Sequence, residues 1–209
     1  MSDSRKERER IAREGEVLAA AEKLFSTKGY ENTTMDEIAK ESEFTKKTVY
    51  QYFICKENLY YAVTLNGVKI MLSYIEEEVD AGKNGFEKLA GARRGLYRYV
   101  SQYPENYRLM NYAQYIRSDP SALPYFIELN KHNHRLFEVL SQSLNCGMKD
   151  GSIRPEMSSP LTIYAIFFLT TGFMNRFSEA GEHYGRMLQI DPQQIADIAF
   201  EMLDRILLP

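Results

Sequence analysis

Apolar residues recur at three- and four-residue intervals along most of this chain, and no stretch alternates with the period of two that a half-buried strand requires. The pattern predicts an all-α fold of about nine helices. Charged residues dominate positions 5–16. Ile11, Val17, Leu18, Ala21, Leu24 and Phe25 then fall on one stripe that Gly29 closes. Thr34 stands three residues before Glu37, the spacing of a capping box, with Met35, Ile38 and Ala39 turned inward. Thr45 is placed to cap a short third helix held by Val49 and Phe53.

Beyond Lys56 a long amphipathic helix is expected to about Asp80, and another from Phe86 to about Ser101. The run YRLMNYAQYI should stop at Ser118, and a longer helix should span about 121–145. GMKDGSIRP reads as a loop that also separates the last two helices from the rest. Ser159 with Pro160 opens an apolar helix to about Phe177, leaving His183 in a loop, and Asp191 with Pro192 opens the last one. Two domains are expected, 1–55 for the first three helices and 56–209 for a larger bundle.

Composition adds limits. With 26 Lys plus Arg against 29 Asp plus Glu the net charge is -3, so attraction for a polyanion has to be local. Cys55 and Cys146 form no CxxC pair, which suits a reducing compartment such as the cytoplasm, and the N-terminal MSDSRKERERIAREGE lacks the apolar region of a secretory signal. LTIYAIFFLTTGFMN is too short for a membrane span and reads as a buried helix.

The stretch TKKTVYQYFICK, residues 45–56, is the candidate chemistry. Consecutive lysines in the first turn of a helix oppose its dipole, a penalty that an external anion reverses. With Val49 and Phe53 inward, Thr45, Lys46, Lys47 and Thr48 form an exposed leading end. Tyr50, Gln51 and Tyr52 continue that surface, and Lys56 is placed for a flanking phosphate. The start of the second helix, at Thr34, is a second phosphate candidate. Residues 1–60 nonetheless hold 11 basic against 12 acidic side chains, which leaves a plain solvated polar face open. The leader SRKERERIAR is either a solvated extension or an arm that takes Arg5, Lys6, Arg8 or Arg10 to a minor groove.

Over about residues 11–63 the chain closely resembles the helix-turn-helix signature of the TetR family of bacterial transcriptional regulators. The matching features are the run ending in LFSTKGY, then TTMDEIA, then TKKTVYQYF, and KENL after it. The resemblance implies a homodimer on palindromic double-stranded operator DNA, most simply a cytoplasmic repressor released by a small, partly hydrophobic effector. Carried onto this chain, it gives Thr34 a phosphate contact and makes Thr45, Lys46, Lys47, Thr48, Gln51 and Tyr52 readers of base and backbone. Tyr50 and Lys56 become phosphate anchors. Three positions depart from the family pattern: Glu43 where glycine is common in the turn, Lys47 for a small residue, and Cys55 where serine is common. The alternative is a helical adaptor or small-molecule carrier that touches no DNA.

A dimer needs a self-complementary surface. The last two helices carry more hydrophobe than one buried stripe requires. Ile163, Ile166, Phe167, Thr170, Met174 and Phe177 on one, with Ile195, Ile198, Ala199, Met202 and Ile206 on the other, are the expected interface. Tyrosine-rich central helices suit an effector cavity, for which Leu65, Leu96, Met110, Asn111, Phe126, Asn130, Phe137, Phe168 and Thr171 are candidate linings. Arg93 is a candidate for an anionic group, with a surface ion pair as the alternative. His132 and His134, two apart, make a poor metal pair, and no GxSxG, P-loop or GxGxxG appears. No cofactor, metal or catalytic centre is expected, and no membrane partner.

Overall fold

The computed structural model describes residues 2–113, 116 and 119–209, and side chains from Arg5 onward. Among them the structure is all-helical: α1 Ser2–Lys28, α2 Met35–Glu41, α3 Lys46–Tyr52, α4 Lys56–Asp80, α5 Gly85–Gln102, α6 Pro104–Tyr112, α7 Pro124–Asp150, α8 Leu161–Leu188 and α9 Pro192–Leu207. A 3-10 turn, Pro155–Ser158, precedes α8. Among the described residues no helix is long and apolar enough to cross a membrane. The expected stop of the α6 run at Ser118 lies outside the described residues, as does Tyr115.

Two compact units form. One comprises residues 1–67 and 109–131, the other 68–108 and 132–209. In the first, Val17, Ala21, Phe25, Ile38, Val49, Phe53, Leu59 and Tyr60 are buried in one core. Aromatic edges extend it: Phe25, Tyr30 and Tyr60 pack mutually with ring centroids 5.0–5.8 Å apart. Gly29, at φ 80°, turns the chain out of α1, and its N–H reaches Phe25 O at 3.0 Å.

In the second unit α5 packs on α8 and α9, which also pack on each other. Gly91 and Gly95, one turn apart, let α5 lie against α4: a Cβ on Gly95 would stand 2.5 Å from Tyr74 O. Arg93 is 3% exposed and paired with the half-buried Asp204 carboxylate of α9, so the ion pair that is one of its two readings forms on a buried guanidinium rather than at the surface. Burial lowers the Arg93 pKa to about 10, which leaves it charged at neutral pH.

Two helix ends differ from expectation. α7 continues through Gly147 to Asp150, and the stop is Gly151 at φ 77°. Gly147 lies inside α7 with Ile153 against it, where a Cβ would stand 2.4 Å from Ile153 Cδ1. α8 runs to Leu188, eleven residues past Phe177, and ends at Gln189 in the left-handed region, so His183 is helical rather than in a loop. Gly181 and Gly185 lie inside this longer α8 and are both buried, with Phe177 of the same helix beside the first and Pro192 beside the second. The segment after Gly151 is a clamp: Ile153 is buried, and Arg154 Nε donates to Leu208 O at 2.7 Å, satisfying a carbonyl at the end of α9.

Candidate nucleic-acid interface

The candidate reading surface is built by α2 and α3, with the end of α1 beside them. The capping box of α2 is complete: Glu37 N–H donates to Thr34 Oγ1 at 3.2 Å, and Thr34 N–H donates to a Glu37 carboxylate oxygen at 2.9 Å. The ammonium of Lys28, 2.7 Å from Glu37, and the Thr34 donors hold that carboxyl down to about pKa 2. α3 starts at Thr45, whose Oγ1 accepts from Thr48 N–H at 3.2 Å and lies 2.8 Å from the Thr48 hydroxyl. The Thr34 and Thr45 side chains are therefore committed to caps in the free protein.

Val49 and Phe53 are 0% exposed. Side chains of that size contribute about 1.5–3 kcal/mol each when buried, so they fix which face of α3 looks out. Thr45, Lys46, Lys47, Tyr50 and Gln51 lie on the exposed face. Thr48 is half-buried, and Tyr52 is half-buried against the core. The turn between α2 and α3 is made with Glu43 itself at φ 58°, the conformation that glycine would adopt without strain.

Lys56 sits elsewhere. Its Nζ donates to Tyr30 O at 3.0 Å and Thr33 O at 3.1 Å and lies 4.2 Å from the Tyr30 ring centre. It fastens the α1–α2 connection to the start of α4. Cys55 substitutes for the missing hydroxyl, its Sγ accepting Asn58 N–H at 3.4 Å, and burial pushes the thiol pKa up. The leader is helical, with Arg5 on Glu9 at 3.0 Å and Arg10 bridging Glu7 and Glu14 at 2.9 and 3.1 Å. One contact of the reading surface had no local signal: Lys46 Nζ lies 2.8 Å from Asp36 Oδ1, across from α3 to α2.

The remaining candidates are distributed as follows. On α8, Ile163, Ile166, Thr170 and Met174 are buried within their own unit, and Phe167 and Phe177 are half-buried. The opposite face of α8 carries Leu161, Tyr164, Phe168 and Leu169 at 72, 49, 68 and 56% exposure. On α9, Ile198, Met202 and Ile206 are exposed, and Ile195 and Ala199 are half-buried. Of the cavity candidates in the first unit, Leu65 is buried, Met110, Asn111 and Phe126 are half-buried and Asn130 is exposed; Phe126 packs on Tyr61 with ring centroids 5.0 Å apart. In the second unit Leu96 is buried, Thr171 half-buried and Phe168 exposed, while Phe137 packs on Phe167 at 4.8 Å. A cleft of about 270 Å³ in that unit is bordered by Glu76, Asp80, Lys88, Arg135 and Gln142, and by none of these candidates. Among the described residues no group of His, Cys, Asp and Glu is placed to hold a metal.

An exposed α3 set on the buried core of α1, α2 and α3 has the arrangement of a helix-turn-helix. Residues 17–63 match the family model for bacterial regulatory proteins of the tetR family, so the resemblance holds on the residues that build the reading surface. Among curated relatives, the transcriptional activator FasR of Mycolicibacterium smegmatis is 26% identical over 133 residues, 64% of this chain and 61% of its own length. The transcriptional repressor KstR2 of Mycobacterium tuberculosis is 24% identical over 172 residues, 81% of this chain and 83% of its own. Among solved structures, a tetR-family regulatory protein from Rhodococcus RHA1 superposes with a TM-score of 0.73 at 22% identity, covering 93% of this chain and 96% of that one. AibR, solved with isovaleryl coenzyme A and operator DNA, gives 0.70 at 20% identity, covering 91% and 97%. These likenesses extend the shared fold over nearly the whole chain.

Proposed function

We propose that the protein is a homodimeric repressor that binds a palindromic operator through two copies of α3 and is released by a small, partly hydrophobic effector. The observation that carries this reading is the division of the chain's exposed surface. Thr45, Lys46, Lys47, Tyr50 and Gln51 offer donors and short polar chains on α3, while Phe168 on α8 and Ile198, Met202 and Ile206 on α9 leave apolar faces bare. A single seven-residue recognition helix discriminates poorly; a dyad that spaces two of them about 34–36 Å apart reads successive major-groove faces. Packing α8 and α9 against their symmetry mates supplies that dyad and covers the apolar side chains.

The effector class is taken from two relatives by fold: AibR was solved with isovaleryl coenzyme A, and FadR of Bacillus subtilis with stearoyl-CoA. An acyl chain suits the aromatic and aliphatic side chains of the second unit, where Leu96, Phe137 and Thr171 are proposed to meet it. The effector acts by favouring a dimer geometry whose reading heads no longer match the operator, which takes a few kcal/mol of differential affinity.

The test is a mobility shift on the DNA upstream of the protein's own gene, with a shuffled duplex of equal length as reference and a series of acyl-CoA thioesters as candidate effectors. Tighter binding to the upstream DNA, steep weakening with salt, and release by one thioester are expected. Equal affinity for both duplexes removes the operator from the reading; release by none of the thioesters removes the effector class.

A further inference from the structure

The ion pair between Asp36 and Lys46 joins α2 to the first turn of α3. Lys46 is the first residue of α3 and Asp36 the second of α2. Their side chains are 56 and 66% exposed and meet at 2.8 Å, and this contact raises the Lys46 pKa. The rest of the module sharpens the point. Lys23 is held by Glu41 at 2.5 Å, Lys28 by Glu37 at 2.7 Å, and Lys56 by backbone carbonyls. Lys47 is exposed on the same turn with no ion pair among the described residues. The leading end of α3 therefore carries one available ammonium and one already engaged.

We propose that Asp36 is a positioning residue for DNA binding, an internal competitor that holds Lys46 in the free protein and must release it when a phosphate arrives. The proposal rests on α3 being the DNA-reading helix. Binding at this lysine is then an exchange of partners rather than the addition of one. A phosphate replaces the carboxylate, and the freed Asp36 recruits a cation from solution, cancelling a counterion that DNA gives up. Both the affinity and its salt dependence are reduced by the same side chain. Because both groups are exposed the exchange costs little, so the pair tunes binding without preventing it.

The experiment compares wild type, Asp36→Asn, Lys46→Gln and the double variant on the upstream duplex and on the shuffled duplex, each over a range of salt, with helical content checked by circular dichroism. For Asp36→Asn, binding to both duplexes is expected to tighten about two- to fivefold per reading head. The slope of log K against log salt should steepen by about one per head. In the Lys46→Gln background the same substitution should change neither quantity. An unchanged slope with Asp36→Asn overturns the proposal, and so does an equal gain with and without Lys46, since Asp36 would then act by plain repulsion. A wild type that prefers its upstream DNA beside an inert Asp36→Asn sinks this inference alone. A wild type that binds neither duplex overturns both readings.

Discussion

Glu43 holds φ 58° in the turn that sets α2 against α3, and its side chain is exposed there. A β-carbon in that region costs roughly 1–2 kcal/mol, partly offset because glycine loses more entropy on folding. Glu43→Gly is therefore expected to raise the melting temperature slightly, by the equivalent of up to about 1 kcal/mol, with helical content unchanged; a loss of stability would mean that Glu43 makes a contact worth more than its strain. The acidic caps give a second prediction. Glu37 is held from the usual 4.5 down to about 2 by Lys28 and Thr34, and Asp150 is held down to about 2 by Ser152 and the Gly85 N–H. Both carboxyl pKa values fall on folding, so the stability they add is complete above the ordinary carboxyl range and is lost as pH falls toward 2. Thermal melts of Glu37→Gln should fall less steeply with acid than those of wild type. At this scale caps were legible, because Thr34 and Thr45 act within three residues of themselves. The Asp36–Lys46 pair was not, because it joins two helices whose mutual angle no local spacing encodes.

Glycine shows how an element's neighbours change the meaning of its sequence. Gly91 and Gly95 sit inside α5, where helix propensity alone favours alanine by about 1 kcal/mol. A Cβ at Gly95 would stand 2.5 Å from Tyr74 O and 2.7 Å from Ile75 Cα, both backbone atoms of α4 that cannot rotate away. Gly95→Ala should therefore destabilise by about 1–3 kcal/mol in urea unfolding. Gly15→Ala, in α1 with nothing within 4 Å, should stabilise by up to about 1 kcal/mol. A matching gain at both positions would refute the close approach of α4 and α5. The same cause explains why α7 and α8 overran their expected ends. Gly147 and Gly185 look like breakers in one dimension, yet at each another part of the chain comes too near for a side chain, Ile153 at one and Pro192 at the other. Gly29 and Gly151 do stop helices, and they are the glycines at positive φ. Sequence distinguishes the two uses only when the packing partner is known.

For the whole molecule the proposed dyad depends on which face of α8 the chain leaves bare. This helix is apolar on nearly all sides of its first half, so periodicity selected a stripe without saying what it packs on. Ile163, Ile166, Thr170 and Met174 are consumed by the chain's own core, and Leu161, Tyr164 and Phe168 occupy the opposite side at spacings of three and four. α9 was easier to read, because only Ala196 and Leu207 are buried and the residues turned away from them are Ile198, Met202 and Ile206. If these bare faces form the proposed dyad, a charge placed in their midst separates the copies without unfolding either. Met202→Glu, 64% exposed in the single chain, should leave circular dichroism and the unfolding midpoint of the isolated chain close to those of wild type at low concentration. Analytical ultracentrifugation should show a monomer where wild type sediments as a dimer. Affinity for a palindromic duplex should then fall by a large factor, while affinity for a single half-site stays the same. A dimer that survives Met202→Glu would move the dyad off this face of α9, and an equal loss on full and half sites would mean that the substitution had damaged the reading head rather than the pairing.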